Sequence, residues 1–207
     1  MAPSNPFICP SFPVLVLISG PSAVGKDTIA RGVIKKRPDD FHFVVTATTR
    51  GPRAGEVDGL DYIFVSHDEF ASMIEQDELL EYAVVYNDYK GVPKKQIQDA
   101  LASGKNVIMR LDVQGAATVR ELIPEAITIF LIAPTEEELV RRLKERKSET
   151  AEGINLRVAT ARKEMDRIDE FDYCIVNADD EQSLAVEQVL NIVDAARCRV
   201  GQEPLIL

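Results

Sequence analysis

The sequence predicts an α/β fold, with a doubly wound parallel sheet covered by helices. Short continuous apolar runs at residues 14–18, 106–111, 127–132 and 173–176 alternate with stretches of helical periodicity, the pattern of buried parallel strands joined by crossover helices. The first run leads straight into Gly20-Pro21-Ser22-Ala23-Val24-Gly25-Lys26, a glycine-rich turn that opens an amphipathic segment. With 207 residues, 45% of them hydrophobic and 28% charged, the chain can bury one sizeable core.

The turn after the first strand has the form of a phosphate-binding loop. Two glycines let consecutive amide N–H groups converge on phosphate oxygens, the following helix contributes its positive end, and Lys26 supplies a mobile ammonium. Gly20, Pro21, Ser22, Ala23, Val24, Gly25, Lys26, Asp27 and Thr28 are thereby candidate residues for binding a nucleoside triphosphate. The position after the lysine of such loops normally carries Ser or Thr as a magnesium ligand, and here carries Asp27 with Thr28 next. Both are hard oxygen donors and candidate metal ligands, with helix capping the other role open to Asp27.

From residue 43 the plan changes. Residues 43–65 and 79–86 read as short strands around polar turns, separated by a helix over 67–76, which suggests a small mixed sheet inserted in the core. Ser66 with Glu69 and Thr135 with Glu138 match capping boxes, while Gly104 and Pro124 suit helix ends. Residues 135–170 are helical and rich in charge, as in a lid. No internal repeat or low-complexity tract interrupts the order.

A net charge of −10 argues against a nucleic-acid partner, which would need a basic face. The basic residues gather at Arg50 and Arg53, at Lys94 and Lys95, and over 141–147. The first and last groups suit small phosphorylated ligands, and the lysine pair suits a solvated helix face. Three cysteines, Cys9, Cys174 and Cys198, lack metal-ligand spacing and point to a reducing compartment, with Cys174 expected in the core. No stretch approaches the length of a membrane span, and residues 1–13 lack the build of a signal peptide. The expectation is a soluble cytoplasmic protein, or one in an organelle interior if a targeting peptide has been trimmed.

The segment Thr46-Ala47-Thr48-Thr49-Arg50-Gly51-Pro52-Arg53-Ala54-Gly55-Glu56, followed by Gly59 and Asp61-Tyr62-Ile63-Phe64-Val65, closely resembles the monophosphate-binding region of guanylate kinases. Leu111-Asp112-Val113-Gln114-Gly115, residues 142–149, Ile154-Asn155-Leu156-Arg157 and Val176-Asn177-Ala178-Asp179 fall in the same family's order, so the resemblance covers about residues 14–195. It implies a nucleoside monophosphate kinase core with a parallel five-stranded sheet (about 14–45, 101–134 and 168–195). It also implies an inserted mixed α+β GMP-binding subdomain (about 46–100) and a helical lid (about 135–167), with flexible termini at 1–13 and 196–207.

The resemblance carries roles onto named residues. Arg50 and Arg53 would bind the GMP phosphate through planar donors, and Glu56 would orient them or touch the guanine side. Tyr62 would donate to the same phosphate, or serve packing. Glu81 matches the carboxylate that accepts from guanine's ring N–H and exocyclic amine, and Thr46 a hydroxyl beside the guanine carbonyl. Many members read Tyr-Tyr-Gly-Ser where this chain has Tyr89-Lys90-Gly91-Val92. Lys90 would replace the second tyrosine as a point charge, while Val92 offers no side-chain hydrogen bond. Asp112 resembles a carboxylate near magnesium and monophosphate, or caps a helix starting near Gln114, and the acidic position two earlier is Arg110 here. In the lid, Arg142 resembles an adenine-stacking residue, and Arg146 and Arg157 residues that reach the transferring phosphoryl group; beyond the lid, Asn177 resembles a donor at the adenine edge. A solvated helix face is the other reading open to any one of these lid arginines.

The implied activity is ATP + GMP = ADP + GDP in purine metabolism, with Mg2+ as MgATP, by direct transfer relying on Lys26, Arg50, Arg146 and Arg157. The expected partners are ATP and GMP, without nucleic acid or membrane, in a monomer or homodimer. Three alternatives are weighed against this. A catalytically inactive guanylate-kinase-like interaction module would have lost the phosphate loop. A ribose 1,5-bisphosphate phosphokinase would not need Arg53, Glu56 and Glu81. An adenylate kinase would not need a guanine-reading carboxylate.

Overall fold

The structure, a computed structural model, describes residues 11–53, 55–85, 87–145, 151–205 and 207. Its main sheet has five parallel strands. β1 (Leu15–Ser19) lies in the middle, between β7 (Asn106–Arg110) and β8 (Ile127–Ile132), with β2 (Phe41–Phe43) and β9 (Tyr173–Val176) at the two edges. Every residue of β1 and β7 is buried, because helices cover both faces and neither strand has a solvent side.

Alternation along β1 divides the core in two. Val14, Val16 and Ile18 face α1 (Lys26–Lys36) and α7 (Gln182–Arg197), packing with Ile29, Val33, Val189 and Val193. Leu15 and Leu17 face α3 (Lys94–Ala102) and α4 (Val113–Leu122), packing with Ile97, Ala116 and Val119. Burying a Leu or Val of this kind contributes about 1.5–3 kcal/mol. The sheet is therefore the rigid support on which its C-terminal strand ends are held.

The insertion is a four-stranded mixed sheet in the order β4 (Ile63–Phe64), β3 (Ala47–Thr48), β6 (Asp88–Pro93) and β5 (Leu79–Val85). It is sealed by α2 (His67–Glu75), whose Phe70 is buried against Ala47 and Leu79. The Ser66–Glu69 capping box forms in both directions. At the next expected box only half forms: Glu138 N–H donates to the Thr135 hydroxyl at 3.2 Å, while the Glu138 carboxylate is taken by Arg141 and Arg142. The helical region comprises α5 (Glu136–Glu145) and α6 (Ala151–Met165), and its Leu139, Leu143 and Ala161 belong to the first core cluster.

Three expectations need correction. Phe43 belongs to the main sheet, since Phe41–Phe43 pairs with β7, and the inserted sheet begins only at Ala47. Cys174 is exposed, because β9 is an edge strand with one open side. The boundary at 195 falls inside α7, and beyond it Gln202 donates to the Phe12 carbonyl at 3.2 Å while Leu205 packs on the second core cluster. Cys9 lies outside the described residues. Lys94 and Lys95 pair with Asp77 and Asp99 on the surface, as a solvated face would. Among the described residues no helix is long and apolar enough to cross a membrane.

Candidate active site

The phosphate loop turns sharply because two of its positions admit only glycine. Gly20 has φ +128° and a Cβ there would run into the Leu131 carbonyl of β8, while Gly25 has φ +92° and a Cβ there would strike the Asn177 amide. That amide clamps the loop from behind: Asn177 Nδ2 donates to the Val24 carbonyl at 2.8 Å, and its backbone N–H donates to Ile132 at 2.8 Å. Lys26 Nζ donates to the carbonyls of Gly20 at 2.5 Å and Pro21 at 2.9 Å, lying across the loop it serves. Arg157 of α6 reaches the same loop, donating to Ser22 Oγ at 3.1 Å.

The segment joining β3 to β4 brings two arginines, Arg50 and Arg53, to the same cleft. Both terminal nitrogens of Arg50 bind Glu56, at 3.0 and 2.9 Å, and Glu56 Oε2 also accepts from Arg53 N–H at 2.7 Å. The guanidinium carbon of Arg50 lies 5.0 Å from the Tyr62 ring centroid and 5.8 Å from that of Phe64. Burial works against both charges of the Arg50–Glu56 pair, yet their hydrogen bonds prevail. Arg50 is held more firmly protonated and Glu56 below the usual carboxylate range. Of the two roles open to Glu56, orienting Arg50 is the one this geometry fits. Burial raises the Tyr62 phenol, with Arg50 opposing, so the hydroxyl stays a proton donor. Burial likewise lowers the Lys90 ammonium, partly offset by Asp112.

At the inner wall, Glu81 on β5 is only 6% exposed. Burial first, and the negative charge of Asp112 second, push its carboxyl up to about 7. Such a group is poised to accept N–H donors from an entering ligand. Its neighbour in register across the sheet is Val92, whose side chain is buried in the second core cluster. Asp112 caps α4, its Oδ1 accepting from Gly115 N–H at 2.9 Å, so the capping role exists alongside its position on the cleft.

These elements enclose a cleft of about 610 Å³, within the range of small-molecule sites. It brings together Gly20, Ser22, Ala23, Gly25, Lys26, Asp27 and Thr28 from the loop with Thr46, Arg50, Arg53, Glu56, Tyr62, Glu81, Lys90 and Asp112, and with Arg157. Pro21, Val24, Arg142 and Asn177 do not line it. Arg142 instead donates to the Asn177 carbonyl at 2.8 Å and pairs with Asp179 and Glu138. Arg146 lies outside the described residues.

Asp27, expected as a metal ligand, has its carboxylate paired with Arg110, a partner sequence spacing could not indicate. Glu164 and Arg167 also line the cleft unannounced. Burial raises the Glu164 carboxyl, which senses Lys26, Asp112 and Arg167. Helical periodicity alone gave no reason to separate these two from other charged positions of the lid. No group of three or more His, Cys, Asp or Glu side chains that could hold a metal ion occurs among the described residues. Two hard oxygen donors, the Thr28 hydroxyl and the Asp112 carboxylate, do line the cleft beside the phosphate loop. That sparse set suits a cation that arrives on phosphate oxygens and keeps several waters.

Comparison with known proteins agrees with this geometry. The family model described as guanylate kinase matches residues 13–196. The chain is 52% identical over 198 residues to guanylate kinase 2, chloroplastic/mitochondrial, of Oryza sativa subsp. japonica, covering 95% of this chain and 69% of that protein. It is 40% identical to the guanylate kinase of Desulfitobacterium hafniense, covering 93% of this chain and 95% of the relative. The crystal structure of guanylate kinase from Anaplasma phagocytophilum superposes with a TM-score of 0.74 at 28% identity, over 92% of this chain and 89% of that one. A phosphate loop and two arginines lining one cleft, on a fold and a sequence shared with these proteins, place the chain in the guanylate kinase family.

Proposed function

We propose that this cleft transfers the γ-phosphoryl group of ATP directly to GMP, giving ADP and GDP. The observation that carries the reading is Glu81, a nearly buried carboxylate in the same cleft as the Lys26 loop. Guanine presents a ring N–H and an exocyclic amine side by side, which suits the two oxygens of one carboxylate, and adenine does not. The buried Thr46 contributes a hydroxyl on the same wall.

The GMP phosphate would be held by Arg50, Arg53 and Tyr62, with Glu56 fixing the fork of Arg50 and Lys90 adding a point charge. The triphosphate would lie over residues 20–28, with Lys26 moving from its loop carbonyls onto phosphate oxygens. Arg157, already at Ser22, would neutralise charge on the transferring group, and Arg146 is assigned the same task. Arg142 and Asn177 are assigned to the adenine side, Asn177 by holding the loop in shape.

A phosphate oxygen is already nucleophilic, so no general base is required. The chain's contribution is alignment, charge compensation and exclusion of water. Mg2+ fits as the divalent partner, with Thr28 and Asp112 to hold it beside the phosphates, where it would compensate their charge.

The name of the rice relative supports an organelle interior over the cytoplasm as the compartment. Calorimetric titration with GMP, IMP and AMP tests the base reading. GMP should bind tightest, with IMP, which lacks the exocyclic amine, weaker by roughly 1–3 kcal/mol. Equal affinity for AMP would contradict it.

A further inference from the structure

Arg110 ends β7 with its side chain only 7% exposed. A cation taken so far out of water needs partners, and Arg110 draws them from three parts of the chain. Nη1 pairs with Asp27 in the first turn of α1. Nη2 donates to the Asp61 carbonyl, in the turn before β4. The guanidinium carbon lies 4.4 Å from the Tyr62 ring centroid and 5.4 Å from that of Phe43.

The Asp61 turn is tied to α1 a second time. Its carboxylate accepts from Arg31 at 2.5 Å through Oδ1 and from Val57 N–H at 2.8 Å through Oδ2. The helix that begins at the phosphate loop and the turn that presents Tyr62 are thus joined through two arginines, of which Arg110 is the buried one.

We propose that Arg110 is a positioning residue that couples the ATP loop to the GMP pocket. It turns the Asp27 carboxylate toward itself and fixes Tyr62 where the monophosphate is to be met. The inference rests on the reading given under Proposed function. Its consequence is that GMP binding depends on Asp27, a residue of the opposite half of the cleft. Without Asp27 the buried guanidinium loses its counter-ion and the Tyr62 turn loses its anchor. Without Arg110 the Asp27 carboxylate is released toward the phosphates.

The test is a double-mutant cycle of Asp27→Asn, Arg110→Met and the double variant, with GMP binding measured by calorimetry in the absence of ATP and metal. Each single variant should weaken GMP on the order of tenfold, and the double variant should be no worse than the weaker single. Steady-state kinetics on the same proteins should show the KM for GMP rising more than that for ATP. Additive losses, or GMP binding unchanged in Arg110→Met, would overturn the coupling. No GMP binding by the unaltered protein would overturn the reading of the site itself. Should Arg110→Met fail to fold, Arg110→Lys carries the test, because it keeps the charge and loses the fork, and parental GMP affinity in it overturns the proposal.

Discussion

Gly115 stands where a methyl group would press on Glu81: a Cβ built there would lie 3.0 Å from Oε1 and 3.2 Å from Cδ. Gly115 occupies the third position of α4, where Ala would favour the helix by about 1 kcal/mol. Gly115→Ala should therefore retain or raise the melting temperature while raising the KM for GMP roughly tenfold, about 1.4 kcal/mol, with the KM for ATP little changed. Thermal unfolding and two-substrate kinetics on the same preparation check this. A parallel loss for both substrates would mean that Gly115 serves only general packing.

The Glu81 carboxyl, raised to about 7, makes stability depend on pH with a defined sign. Between pH 4.5 and 7 the folded state holds a proton that the unfolded chain has released, so stability falls as pH rises through that window. Glu81→Gln removes this proton linkage. Relative to the parent, the ligand-free variant should gain on the order of 2–3 kcal/mol between pH 4 and pH 8. Urea unfolding at the two values measures it, and a pH-independent difference would contradict the assigned environment.

The same substitution should weaken GMP much more than ATP, since only the guanine donors meet that carboxylate. GMP affinity of the parent should decline below pH 7 as Glu81 takes up a proton, and the substitution should flatten that decline. Calorimetry from pH 6 to 8 compares the two slopes, which the titration of GMP itself affects equally.

Lys26→Met should lower kcat by about 10²–10³-fold while leaving GMP affinity within about twofold, because the ammonium acts on the donor phosphates. Rapid-quench turnover and GMP titration separate these effects. Unchanged turnover would remove Lys26 from the mechanism.

Glu56→Gln should free the Arg50 guanidinium from its two-point contact and raise the KM for GMP by roughly 1–2 kcal/mol, with kcat less affected. An unchanged KM would show that Arg50 is oriented by Tyr62 and Phe64 instead.

What the sequence made legible follows physical range. The strands at 127–132 and 173–176 and the phosphate loop are local patterns, and the structure has them where the sequence puts them. The residues proposed for GMP share one cleft because β6 pairs with both β3 and β5, an arrangement that comes from the family resemblance rather than from any spacing. Cys174 is exposed although its run is apolar, because such a run does not reveal whether its strand lies at the centre or the edge of a sheet. Phe41–Phe43 is only three residues long and interrupted by His42, too short for periodicity to register. The Asp27–Arg110 pair was invisible because it joins two distant positions through the parallel pairing of β1 and β7. Glu164, in the last turn of α6, and Arg167, in the turn after it, resemble other charged residues of the region until the fold turns them inward.

Phosphoryl transfer from ATP to GMP is the function proposed for the cleft. Its most direct measurement is a 31P NMR time course of the protein with MgATP and GMP, with AMP and ribose 1,5-bisphosphate in separate samples. ADP and GDP should appear in equal amounts with GMP alone, without inorganic phosphate. An unchanged ATP spectrum with GMP bound, or turnover with either alternative acceptor in place of GMP, would contradict it.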